Sequence, residues 1–103
     1  MYFITALTGL NFLYDSRCFG YYLNKEEAIT AVQENRCDLN EGIYNYIVIE
    51  KIGKGIHSIT EEETWFEWFQ TGEYLGEGHW EQIAKPQDTE HSETEHFINY
   101  AIG

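Results

Sequence analysis

Seven glutamates fall between residues 61 and 81: Glu61, Glu62, Glu63, Glu67, Glu73, Glu77 and Glu81. Carboxylates at this density do electrostatic chemistry whether or not they do proton chemistry. On a strand, residues two apart point the same way, roughly 6.5–7 Å from each other. Glu61, Glu63, Glu67, Glu73, Glu77 and Glu81 would then line the outside of a hairpin. Such a surface carries the charge character of a nucleic-acid backbone, and the positive channel of a DNA- or RNA-handling enzyme would attract it. The plainer reading is an acidic coat that keeps a small domain soluble. Interleaved with these acids are Trp65, Phe66, Trp68, Phe69, Tyr74 and Trp80. Aromatics of this kind serve either as core or as interface anchors. If the segment is extended, Trp65 and Trp68 point to opposite faces.

Other chemistry is poorly represented. The histidines are His57, His79, His91 and His96, with no HxxxH or HExxH spacing, so no metal site is expected. There is no GxSxG and no Walker-type loop. Gly53-Lys54-Gly55 and Gly76-Glu77-Gly78 are too short to cradle phosphates. Neither Cys18 nor Cys37 has a spacing to His57 that argues for a dyad. The expectation is a protein with no enzymatic activity, no cofactor and no metal.

The whole chain sets the frame for these residues. At 103 residues it suits one domain, 1–103, and 17% aromatics are enough to build a core. The formal net charge is −12. Residues 1–60 hold seven acidic and five basic side chains; residues 61–103 hold eleven acids against one base, Lys85. A basic nucleic-acid-binding surface is excluded on this balance, and docking on an anionic membrane is disfavoured. The expected partner is a basic protein. Two cysteines without CxxC spacing are expected to be small, buried and reduced. The N-terminus lacks a basic n-region and reads as a strand, and no run of 18 apolar residues spans a membrane.

The elements that position the acids follow from patterning. Tyr2 to Leu7 is β-rich, and Arg17 to Tyr22 reads as its hairpin partner, with a turn over Asn11 to Ser16. Gly20 between aromatic residues marks a bulge. Asn24 caps a helix expected over 25–36, with Glu26 and Glu27 in its first turn and Ala28, Ile29, Ala31 and Val32 as its apolar stripe. Tyr44 to Ile52 is a strand whose Ile47-Val48-Ile49 run is apolar on both faces, as a central strand requires. Thr64 to Phe69 suits a strand or a single helical turn; the glycines that follow, and the β-like run His79 to Ala84, favour a strand and a long-looped acidic hairpin. Gln87 to Glu95 reads as an exposed loop, and Phe97 to Ile102 as a last strand or docked tail. The expected fold is α+β: a small antiparallel sheet with one helix on one face, plus an acidic, aromatic-rich C-terminal hairpin.

Several stretches together carry a resemblance. They are Phe19-Gly20-Tyr21-Tyr22 leading into Glu26-Glu27-Ala28-Ile29, then Asn35, Asp38-Leu39-Asn40-Glu41 and Tyr46-Ile47-Val48-Ile49-Glu50. Gly55-Ile56-His57, Trp65-Phe66-Glu67-Trp68, Lys85-Pro86 and Ala101-Ile102-Gly103 complete it. In these the chain resembles a group of small uncharacterised proteins encoded by bacteriophages and prophages. The resemblance is architectural and carries no catalytic motif. It implies a protein acting in the cytoplasm of a bacterial host. With the charge, it leads to the expectation of a stoichiometric, anti-CRISPR-like inhibitor. Such a DNA mimic would use its acidic surface to occupy the basic nucleic-acid-binding groove of a defence nuclease, such as an RNA-guided one. The residues expected to bind that partner are Glu61, Glu62, Glu63, Glu67, Glu73, Glu77, Trp68 and Tyr74. Two other readings stay open: a non-inhibitory phage interaction module, and a small-molecule binder that sequesters a nucleotide immune signal. The latter would need a local basic pocket near Arg17, Arg36, Lys51 or Lys54.

Overall fold

The computed structural model describes residues 1–8, 16–36, 39–40, 44–54, 60–73 and 77–86. Five strands and one helix follow in the order β1 (Tyr2–Leu7), β2 (Ser16–Tyr22), α1 (Lys25–Gln33), β3 (Tyr46–Ile52), β4 (Thr60–Gln70) and β5 (Gly78–Ile83). The strands form one antiparallel sheet in the order β2-β1-β3-β4-β5. The fold class is therefore α+β, with one helix against a five-stranded sheet among the described residues. The turn expected over 11–16 falls mostly outside the described residues, as do residues 87–103, which include the exposed loop and the last strand or tail.

Strand β3 lies at the centre, as its doubly apolar run demands. Ile47 and Ile49 face α1 and pack with Ile4, Ala6, Ala28, Ala31, Val32, Phe66 and Trp80. Val48 faces the other way and packs with Leu7 and Trp65, flanked by half-buried Tyr46 and Ile83. Each large apolar side chain removed from water in this way contributes about 1.5–3 kcal/mol. Small residues on α1, Ala28 and Ala31, bring the helix close to the sheet.

The helix starts where the sequence places it. Asn24 Oδ1 accepts from the backbone N–H of Glu26 at 2.8 Å and of Glu27 at 3.3 Å, satisfying two otherwise orphaned donors. It ends three residues earlier than expected. Asn35 takes a φ of +50°, and the N–H groups of Asn35 and Arg36 turn back to the carbonyls of Val32 and Ala31. This is a Schellman stop with asparagine where glycine is usual, and it ends the helix at Gln33.

Gly20 has a φ of +144° where the β1–β2 register slips between Ile4 and Thr5, so the expected bulge is present. Gly78 is needed for a different reason. A Cβ there would run into the carbonyl of Phe69 and come within 2.8 Å of the Trp68 ring.

Candidate functional site

Strand β4 carries most of the acidic candidates, and it is longer than its aromatic core suggests. It runs through Glu61, Glu62 and Glu63, residues that strands ordinarily disfavour. The reason is a lysine beside each. Lys25, at the start of α1, reaches the carboxylate of Glu62. Lys51 Nζ stands 3.9 Å from Glu61, and Lys85 Nζ is 3.1 Å from Glu63. Glu63 also accepts from the indole of Trp65 at 3.0 Å. Its hydrogen bond to Glu62 pushes the Lys25 ammonium above its ordinary pKa.

The lower half of β4 is different. Glu67 lies directly opposite Glu81 of β5 on one side and opposite Tyr46 of β3 on the other. Burial pushes the Tyr46 phenol up, and the charge of Glu67 and a hydrogen bond to it push the same way. Glu81 Oε1 is 2.8 Å from His79 Nε2, and the His79 ring stacks on Phe69 at 6.1 Å. Among the described residues, no lysine or arginine pairs with Glu67, Glu73, Glu77 or Glu81. Glu73 and Glu77 are exposed. The N–H groups of Thr71 and Gly72 donate to the Glu77 carbonyl at 2.7 and 3.0 Å, which ties both ends of this segment to the sheet. Glu67 and Glu81 thus face each other across β4 and β5, Glu73 and Glu77 lie beyond the end of that pairing, and none of the four has a lysine or arginine partner among the described residues.

The two tryptophans diverge as expected. Trp65 is buried on the face away from the helix. Trp68 is half-buried on the helix side and meets Trp80 edge to face at 5.1 Å. Tyr74 lies outside the described residues, as does the tip of the expected acidic hairpin, residues 74–76. Of the expected partner-binding residues, Glu67 lies within the β4–β5 pairing, Glu73 and Glu77 are exposed beyond its end, and Glu61, Glu62 and Glu63 are held by lysines. Glu81 belongs with Glu67. Its register opposite Glu67 is set by the strand pairing, so sequence spacing alone cannot single it out.

Two further features bear on chemistry. Glu50 is fully buried on the face away from α1 and accepts from the Thr60 hydroxyl at 2.9 Å. Cys18 is a free, half-buried thiol. Burial raises its pKa and the Glu50 charge adds to this; bonds toward the Gly20 carbonyl and Thr5 oppose it. A thiol held protonated is a poor nucleophile. Cys37, His57, His91 and His96 lie outside the described residues. Among the described residues, no three His, Cys, Asp or Glu side chains stand together as metal ligands. No described helix is long and apolar enough to cross a membrane.

The fold and this surface define a small α+β protein with one acidic sheet edge. Comparison with known proteins finds no matching family model, no matching curated relative and no matching solved structure.

Proposed function

We propose that this protein is a stoichiometric inhibitor of the anti-CRISPR kind, acting in a bacterial host on behalf of a phage. Its β4–β5 side, including the acidic hairpin, occupies a basic nucleic-acid-binding groove of a defence nuclease. The observation that carries this reading is the placement of Glu67 directly across from Glu81, with Glu73 and Glu77 exposed farther along the same hairpin and no lysine or arginine paired with any of the four among the described residues. Like charges opposed across a sheet cost stability. A fold that places lysines against Glu61, Glu62 and Glu63, yet sets only the His79 imidazole beside this group, leaves a field that something outside can meet. A positive groove would return the missing counter-charge, steering the encounter and excluding nucleic acid.

The test is capture of the partner from bacterial lysate over a salt series, followed by challenge with duplex DNA or guide RNA. Binding should fall steeply with salt, because exposed charges are screened over about 8–10 Å at physiological ionic strength. Nucleic acid should displace the protein. Replacing Glu67, Glu73, Glu77 and Glu81 by Gln should abolish capture, while Lys54→Glu, at an exposed position elsewhere, should leave it intact or improve it. Capture that persists at about 0.5 M salt, far beyond the screening regime, or that nucleic acid does not displace, overturns the reading.

A further inference from the structure

A cavity of about 150 Å³ opens between the C-terminal end of α1 and strand β2. Its inner wall is apolar: Ile4, Ala31 and Leu39, each 4% exposed or less. Phe19 and Tyr22 supply aromatic walls, and the Arg36 guanidinium stands at the rim. Arg36 is already held in place, because its Nε donates to Glu34 at 2.8 Å and its Nη1 to the Tyr22 hydroxyl at 3.2 Å. Its Nη2 has no partner among the described residues. A second guanidinium, that of Arg17, lies 4.8 Å over the Phe19 ring.

This is where the chain spends its arginines. Three of its six basic side chains, Lys25, Lys51 and Lys85, lie against the glutamates of β4. Both arginines gather around Phe19 instead. A guanidinium fixed by Glu34 and Tyr22 beside aromatic walls suits a planar ring carrying one anionic group, because its Nη2 donors are pre-oriented toward a carboxylate oxygen.

Size and charge narrow the class. Apolar cavities of about 150 Å³ take molecules the size of benzene, whereas drug-sized ligands need about 300 Å³ or more. A nucleotide is therefore too large. A polyanion is also opposed by the field of a chain of net charge −12. We infer that this cavity binds a small aromatic monocarboxylate, with its ring between Phe19 and Tyr22 and its carboxylate on Arg36. The site is separate from the acidic β4–β5 side and independent of the function proposed for it.

The experiment is a titration of the whole protein followed by amide NMR, with benzoate as probe. Benzyl alcohol, which keeps the ring, and acetate, which keeps the charge, are the controls. Benzoate should give saturable shifts confined to Phe19, Gly20, Tyr22, Ala31 and Arg36. Benzyl alcohol should bind at least tenfold more weakly, and acetate should not saturate. Arg36→Gln, at an exposed position, should leave the spectrum folded and reduce benzoate affinity about tenfold, the size of one charge-assisted contact. Tyr22→Phe should retain ring binding. Absence of saturable shifts overturns the inference. So does equal affinity for benzoate and benzyl alcohol, or benzoate binding that Arg36→Gln leaves unchanged.

Discussion

Replacing Glu81 by Lys should make the protein more stable and at the same time less able to bind its partner. Glu81 is exposed on β5, and Glu67 is its half-buried opposite on β4. Opposite charges across an antiparallel pair contribute roughly 0.2–1 kcal/mol, and like charges cost a similar amount. Glu67 is left in place because it also engages the Tyr46 phenol. The substitution gives up the contact at 2.8 Å between His79 and Glu81, whose side chains are 48% and 53% exposed. An exposed pair of this kind contributes about 0–1 kcal/mol, most often near the lower end. The net gain should be about 0.5 kcal/mol, or about 2–4 °C in Tm for a domain of this size. Thermal melts at low ionic strength should show it, and the gain should shrink at about 1 M salt, where the screening length is about 3 Å. Glu81→Gln removes repulsion without adding attraction and should give about half the gain. Partner binding should weaken in the order wild type, Gln, Lys, chiefly through the association rate. A Lys variant that melts below wild type while Gln does not would refute the repulsion argument. A Lys variant that gains stability and binds normally would remove this edge from the interface.

Val32, fully buried on α1, should not tolerate Asp, since an unpaired buried carboxylate costs several kcal/mol, close to a small domain's whole stability; Thr30→Glu, on the exposed side, should fold normally by circular dichroism. Asn35→Gly relieves a left-handed backbone but removes an acceptor shared by the Trp80 indole and the Asn40 N–H, both at 3.1 Å. At about 0.5–1.5 kcal/mol per hydrogen bond the loss should win by about 1–2 kcal/mol in urea unfolding, and a stabilised variant would show the opposite balance. Cys18, in a Cys37→Ser background, should be alkylated by iodoacetamide with a pH midpoint above that of the same thiol in unfolded chain. Because its folded pKa is the higher one, its contribution to stability is complete below the unfolded value and is lost as pH rises through the folded value; a midpoint at or below that of unfolded chain refutes the burial argument.

What was legible in the sequence was whatever one element decides by itself. Asn24 followed by Glu26 and Glu27 announces a helix start, because cap and dipole act within one turn. Ile47-Val48-Ile49 announces a central strand, because only a doubly covered strand is apolar on both faces. The helix end is not legible, because Asn35 looks like any polar surface residue until its backbone turns left-handed. Its side chain then serves Trp80, 45 positions along the chain. The lysine partners of residues 61–63 are hidden in the sequence for a related reason. Their lysines come from α1, β3 and the segment after β5, and only the folded register brings them together. The cavity by Arg36 is likewise built from β1, β2, α1 and Leu39, four stretches with no shared local pattern.

The placement of five of the six basic residues, all but the exposed Lys54, bears on two explanations of the acidity. If the negative charge served only solubility, the few cations would have no reason to fall in one pattern. Three lysines instead lie along one end of β4, where consecutive glutamates would otherwise weaken strand pairing. Arg17 lies over the Phe19 ring, and Arg36 lines the α1–β2 cavity. No lysine or arginine reaches Glu67, Glu73, Glu77 or Glu81 among the described residues; only the His79 imidazole stands beside Glu81. Stability would improve if one did, at the cost of a single substitution. Under the proposed function, a partner's positive groove supplies on this edge the charge that lysines already supply along the rest of the same strand.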